Sequence, residues 1–245
     1  GDDRDLHRLI RRQRQMCIRD RGVRIKRSKI RGEVSEGMLC SEEELGLGED
    51  STGIMILPDE APSGKALEDY LPLKDYILEV SPTPNRGDCL SVLGVAREVA
   101  ALGGGTLRLP SPEFPEEGPP AEEMVEVKIE VPELCPRYSA RYLWDVKVGP
   151  SPLWMRLRLE RAGIRAINNV VDITNYVMLE LGQPLHAFDY DRIRGGKIAV
   201  RKASEGERFL TLDGKERVLD GETLLICDAE GPVAIAGVMG GLESE

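Results

Sequence analysis

Histidine is nearly absent from this chain: of 245 residues only His7 and His186 carry an imidazole. The five cysteines, Cys17, Cys40, Cys89, Cys135 and Cys227, lie far apart with no CxxC pair. A tetrahedral zinc site draws on clustered thiolates and imidazoles, so no metal site is expected. Reduced thiols of a cytosolic protein are the simpler reading than a disulfide framework. No apolar run approaches the roughly 18 to 20 residues that cross a bilayer, and no signal peptide with an apolar middle opens the chain. No membrane partner is expected, and the expected location is the cytoplasm. The sequence also lacks a GxxxxGK[ST] loop and a GxGxxG turn after a strand, so neither a P-loop nor a dinucleotide fold is expected.

What is present begins with 41% hydrophobic residues, enough to bury a core in one large or two modest domains. The net charge of −10 is unevenly spread. Residues 1–31 hold twelve Lys and Arg against four Asp, a surplus of eight, which leaves the rest of the chain at −18. Nucleic acid cannot be held by bulk attraction to such a body; any contact has to use local patches. The basic opening segment, residues 1–22, is either a phosphate-gripping arm or a stretch of doubtful origin, and no role is assigned to it or to His7.

The pattern along the chain predicts elements in order. Gly37 to Cys40 and Thr52 to Leu57 read as short strands, separated by a capping box at Ser41 and Glu44 that predicts a short helix. Lys74 to Val80 reads as a strand. A proline-stiffened loop from Ser81 to Asp88 follows, anchored by its own hydrogen bonds or offering Asn85 and Arg86 to a partner. Asp88 is the expected cap of a helix from Cys89 to Leu102 that ends in three glycines. Residues 110–123, with five prolines and five glutamates, cannot form a core and read as a linker. Val125 to Val131 alternates as a half-buried strand, and a second strand is expected from Cys135 to about Val148. Ser151, with Pro152 at the first helical position, is expected to cap a helix through Leu159 that stops at Gly163. Lys197 to Lys202, Phe209 to Leu212, Glu216 to Leu219, Thr223 to Cys227 and Val233 to Val238 read as strands, two of them joined by the Asp213-Gly214 hairpin signal. Helices first and antiparallel strands after predict an α+β fold.

The densest chemistry lies in NNVVDITNYVMLELGQPLHAFD, Asn168 to Asp189. Val170, Val171, Ile173, Tyr176, Val177, Leu179 and Leu181 predict a helix of about three turns, stopped by Gly182 and Pro184. His186 then falls in an extended segment. A lone histidine near an apolar helix is commonly a hydrogen-bonded core residue, and pattern alone does not separate that from a catalyst. Downstream, Gly237-Val238-Met239-Gly240-Gly241 is either a sharp turn between strands or a place where backbone N–H groups approach a ligand oxygen.

DITNYVM at 172–178 followed by GQPLHAFD at 182–189 resembles the signature of the B3/B4 editing domain in the beta subunit of bacterial phenylalanine-tRNA ligase. The resemblance extends from Val23 to Glu245. Residues 23–72 look like the C-terminal part of the family's OB-like tRNA-binding domain, a barrel that has too few strands here to close by itself. TPNRGDCLSVLGVAREVAAL lies within the family's connecting region, residues 73–109, and 124–245 look like the B3/B4-type domain.

The resemblance implies a function. A pocket that selects phenylalanine rejects tyrosine poorly, so a second, hydrolytic site cleaves the ester of tyrosine mischarged onto tRNA. It implies that His186 and Asn175 orient the ester and the attacking water and that Thr174 adds a hydroxyl. The Gly237 backbone would stabilise the oxyanion or border the amino-acid pocket, with Gly240 and Gly241 beside it. The expected partners are tRNA(Phe) and the alpha subunit, in a heterotetramer, without DNA. ATP and magnesium serve the whole enzyme, and no cofactor is expected in this region. In the family the carboxylate that reads the tyrosine hydroxyl lies in a later stretch resembling LLEA; Glu243 and Glu245 precede it, and this region by itself is expected not to edit. Two other readings remain: a non-catalytic RNA or protein interaction module, and a free-standing editing factor.

Overall fold

The computed structural model describes residues 28–35, 37–71, 73, 75–111 and 113–242. The basic opening segment, His7 and the glutamates at 243 and 245 lie outside the described residues. The chain divides into two compact units, one made of residues up to Asn85 with Pro150–Asp172, the other of Arg86–Gly149 with Ile173 onward. In chain order the elements are β1 (Ser28–Ile30), β2 (Glu33–Ser35), a helical turn at Leu67–Tyr70, α1 (Val92–Gly103), a turn at Ala121–Met124, β3 (Glu126–Ile129), α2 (Leu153–Arg161) and α3 (Asn169–Leu181). Six strands follow: β4 (Lys197–Lys202), β5 (Arg208–Leu210), β6 (Glu216–Val218), β7 (Leu224–Cys227), β8 (Pro232–Ile235) and β9 (Met239–Gly240). The fold is α+β, and no closed barrel is formed among the described residues.

In the first unit β1 and β2 make an antiparallel hairpin. The strands expected at 37–40 and 52–57 are absent. Met55 and Leu57 are buried while Ile54 and Ile56 are exposed, so the period-2 pattern is present, but the ladder is missing. A backbone bond from Met55 N–H to the Cys40 carbonyl, 2.9 Å, joins the two segments. The capping box does form, Ser41 N–H to Glu44 at 2.9 Å and Glu44 N–H to Ser41 Oγ at 3.1 Å, yet it closes a series of turns and no helix follows. Leu47, Met55, Leu57, Ala61, Leu67 and Leu71 build the core, completed by Leu157 of α2. Helix α2 is buried on opposite sides, at Leu157 and at Met155 and Leu159, which explains apolar residues every second position in a helix. The expected Ser151 cap is not made: Pro152 holds the cap position and the Ser151 hydroxyl turns to Asp172. Arg156 of α2 grips Glu42 through two bonds of 2.7 and 3.0 Å.

The second unit is organised by a five-stranded sheet, β3-β4-β7-β8-β9. β3 is parallel to β4, and every other pairing is antiparallel, with a bulge at Ile226/Cys227. Alternation sorts the side chains onto two faces. Ala199, Leu225 and Cys227 meet Phe209 and Leu219 of the β5–β6 segment on one face. Ile198 and Val233 meet Ile193 and Phe188 on the other. Burial pushes the Cys227 thiol up to about 11, so it stays protonated and inert.

Three further expectations fail, one in the first unit and two in the second. Residues 75–80, which belong to the first unit, and 135–148 run without strand structure, and among the described residues no strand pairs with them. Ser91, not Asp88, caps α1, its Oγ accepting the Gly94 N–H at 3.1 Å, so the helix starts three residues later than expected. Asp88 is engaged by Arg86, whose guanidinium spans Asp88 at 2.8 Å, Glu98 at 2.6 Å and the Cys89 sulfur at 3.2 Å. The hydrogen bond from Arg86 holds the Asp88 carboxyl down at about 2.

An ion pair on β4 gives a pH prediction. Arg201 donates to both Glu207 oxygens, at 2.7 and 2.9 Å, and Ser204 N–H adds a bond of 2.8 Å. The bonds from Arg201 hold the Glu207 carboxyl below the ordinary glutamate range. A depressed carboxyl contributes stability above its unfolded value and loses it as pH falls through the folded value. Glu207→Gln is therefore expected to lower stability by about 1 kcal/mol near pH 7, a difference that closes below about pH 4. Urea melts of both proteins at pH 7 and pH 3.5 check this; a gap that widens at low pH contradicts it.

Candidate functional site

Helix α3 starts where Asn168 Oδ1 accepts the N–H groups of Val170 and Val171, both at 3.0 Å. Asp172, in its first turn, is fully buried. Its carboxylate accepts the Ser151 hydroxyl at 2.5 Å and the Ile167 N–H at 2.8 Å. Asp172 thus fastens the helix start, a role that the sequence shows only as a carboxylate among apolar neighbours.

Thr174 and Asn175 follow on the second turn, both half-buried. The helix ends at Gly182, whose φ of +77° is the left-handed turn that its lack of a Cβ permits. A Cβ there would also crowd Ser91, 3.2 Å away. The chain then runs without helix or strand through Pro184 to His186. The imidazole is exposed, not sealed in a core, and stands edge-on to Phe188 with ring centres 4.4 Å apart.

Phe188 connects this loop to the sheet. It packs against Ile193, Ile198 and Val233. The Val233 carbonyl accepts the Gly241 N–H at 2.8 Å, so the His186 loop and the glycine run both attach to β8. Within that run the three glycines differ. Gly240 and Gly241 are buried, and a Cβ at Gly241 would lie 2.7 Å from Phe209 and 2.8 Å from the Val233 carbonyl. The Gly240 carbonyl accepts Leu212 N–H at 3.1 Å. Gly237, at φ +69°, sits on the exposed turn between β8 and β9.

An open cleft of about 420 Å³ lies nearby in sequence, lined by Asp191, Arg192, Arg194 and Leu242. Its lining comes from the segment just after His186 and the residue just after Gly241, not from Thr174, Asn175 or His186. Arg192 pairs with Asp189 and Arg194 with Glu230, each at 3.4 Å, and the Arg194 N–H rests on Asp228 at 3.2 Å. The signal for these arginines is the run Arg192-Ile193-Arg194 before two glycines, which strand and helix periodicity passes over. Asp88, Cys89 and Glu98 lie close enough to hold a cation, their ligand atoms within 4.8 Å of one another, but the Arg86 guanidinium already bonds all three. No helix among the described residues is long and apolar enough to cross a membrane.

Compared with known proteins, residues 134–245 match the B3/4 domain family. This stretch is similar to a B3/4 domain along its whole length. The match takes in Thr174, Asn175, His186 and the whole glycine run. Over a longer span that includes this match, the chain is 60% identical over 224 residues to the phenylalanine-tRNA ligase beta subunit of Syntrophus aciditrophicus. It is 57% identical over 222 residues to that of Geobacter metallireducens and 56% over 227 to that of Carboxydothermus hydrogenoformans. Each alignment takes in 91% of this chain and 28% of the relative, so the chain spans a little over a quarter of the length of these relatives. The resemblance read from the DITNYVM and GQPLHAFD motifs thus holds across nearly the whole chain.

Proposed function

We propose that this chain is part of the beta subunit of a phenylalanine-tRNA ligase and that its B3/4 domain forms the site that hydrolyses tyrosine mischarged onto tRNA(Phe). The observation that carries the reading is the exposed His186 imidazole on the loop that directly follows the helix bearing Thr174 and Asn175, inside the B3/4 match. Geometry supports it. Thr174 lies seven residues before the helix end, about 10 Å along the axis. The five residues from Leu181 to His186 reach up to about 17 Å, enough for the chain to fold back to the level of Thr174 and Asn175 after the Gly182 turn. In this reading Asn175 and His186 orient the ester and the attacking water, and the Gly237 turn faces the oxyanion or the amino-acid side chain. Ribose hydroxyls of the substrate guide the water, so no metal enters the hydrolysis. The alpha subunit supplies the ATP- and magnesium-dependent joining of phenylalanine, and tRNA binds across both subunits.

Binding tests the reading without requiring turnover. The amide analogue of tyrosyl-adenosine, in which nitrogen replaces the ester oxygen, is expected to shift the imidazole resonance of His186, with His7→Gln leaving it as the sole histidine. Asn175→Ala is expected to weaken this binding about tenfold, the loss of one or two hydrogen bonds. An imidazole signal unmoved by a saturating analogue, on a protein that keeps its circular dichroism, sinks the assignment.

A further inference from the structure

We propose that residues 114–118 form a displaceable acidic strap over a basic, aromatic platform made by Arg141, Tyr142 and Trp144, and that the platform takes single-stranded nucleic acid when the strap lifts. This does not depend on the ester-hydrolysis reading, since none of these residues belongs to that site.

The strap is held by three contacts. The Arg141 guanidinium bonds the Glu116 carboxylate at 2.5 Å and lies over the Phe114 ring, 4.8 Å from its centre. Gly118, at φ +83°, lies against the Trp144 indole so closely that a Cβ would stand 2.6 Å from it. The platform beneath is fixed. Tyr142 stacks on Trp144 with ring centres 6.2 Å apart and meets Tyr190 edge-on at 4.6 Å. Tyr190 in turn donates its hydroxyl to the Met124 carbonyl at 2.7 Å, just beyond the strap.

The strap itself is loosely held. Residues 113–117 form no helix or strand, and the Arg141 and Glu116 side chains remain 64% and 68% exposed. Exposed pairs of this kind contribute little and are screened by salt. A carboxylate against the guanidinium and a ring beneath its plane occupy the positions that a phosphate and a stacked base take on such platforms. The charge pattern agrees. The segment 137–147 carries Arg137, Arg141 and Lys147 against one acid, Asp145, within a body that is otherwise strongly acidic. Glu116 and Glu117 of the strap, with Glu113 just before it, offset that local patch, so displacement of the strap uncovers a stacking surface with positive charge.

Tryptophan fluorescence tests this directly. The chain holds two tryptophans, so Trp154→Phe leaves Trp144 as the reporter. In that background a single-stranded RNA of about ten nucleotides, within the span of known single-strand sites, is expected to quench Trp144. Gly118→Ala, which forces the strap off the indole, is expected to tighten binding about tenfold, and Glu116→Gln, which leaves the backbone untouched, to act in the same direction more weakly. Arg141→Ala is expected to weaken binding about tenfold and to flatten the salt dependence by about 0.7 in log–log slope, one phosphate contact. Failure of RNA to quench the Gly118→Ala protein overturns the proposal. So does an affinity unchanged by Arg141→Ala, or quenching by a peptide of the strap sequence but not by RNA.

Discussion

In a beta subunit carrying this chain and assembled with its alpha partner, His186→Ala is expected to slow deacylation of tyrosyl-tRNA(Phe) about a hundredfold, the usual range for loss of a group that positions or activates water at an ester. Charging with phenylalanine is expected to be unchanged, because that chemistry belongs to the alpha subunit in the proposed division of labour. The reason lies in where the imidazole sits. It is exposed and braced edge-on by Phe188, which is itself packed into the sheet, so its removal deletes a presented group and leaves the core intact. Deacylation of preformed tyrosyl-tRNA and phenylalanine charging, measured on the same preparation, separate the two effects. A variant that deacylates within a factor of two of the parent removes His186 from the mechanism. Phe188→Leu provides a graded control: it keeps the imidazole but loosens its brace, and is expected to fall between the two.

Asp172→Ala is expected to cost about 2 to 4 kcal/mol of folding stability, the cost of removing a buried carboxylate and leaving its donors unpaired. The Ser151 hydroxyl, in a buried residue, loses its acceptor, and the Ile167 N–H loses the bond that ties it to the start of α3. Ser151→Ala alone removes one of the two bonds and is expected to cost about 1 kcal/mol. Because both substitutions break the same contact, the double variant is expected to fall short of additivity by about 1 kcal/mol, read from urea denaturation of the four proteins in a mutant cycle. Simple additivity would place the two residues in separate environments and contradict the geometry.

The candidate site was legible in unequal parts. The periodicity from Val170 to Leu181 and the Gly182 stop define α3 to within a residue, because helix register and a left-handed terminus are local properties. That His186 lies beyond the helix, in an extended segment, follows from that stop, whereas the exposure of its imidazole is a property of the fold. The roles of the three glycines were not legible. Gly237, Gly240 and Gly241 look alike in the chain, yet Gly241 is buried under Phe209 from the β5–β6 segment and Gly237 lies on an open turn, a difference set by strands some thirty residues away in sequence. Arg192 and Arg194 escaped notice for a similar reason: a cleft is defined by which segments meet, and Leu242 is remote from them in the chain.

By itself the sequence determined the elements whose signals are local: α3 with its glycine stop, α2 from its proline to its glycine, the β5–β6 and β7–β8 hairpins, and, through two motifs, the likeness to phenylalanine-tRNA ligase beta subunits. Only the tertiary structure decided which alternating segments became strands. Thr52 to Leu57 and the residues from Cys135 to Val148 carry strand-like composition, but a strand exists only where a neighbour completes its hydrogen bonds. The same applies to Ser151 and Asp88, which read as helix caps and instead bond Asp172 and Arg86. A short polar side chain takes whichever strong partner the fold brings near, and that choice is made in space.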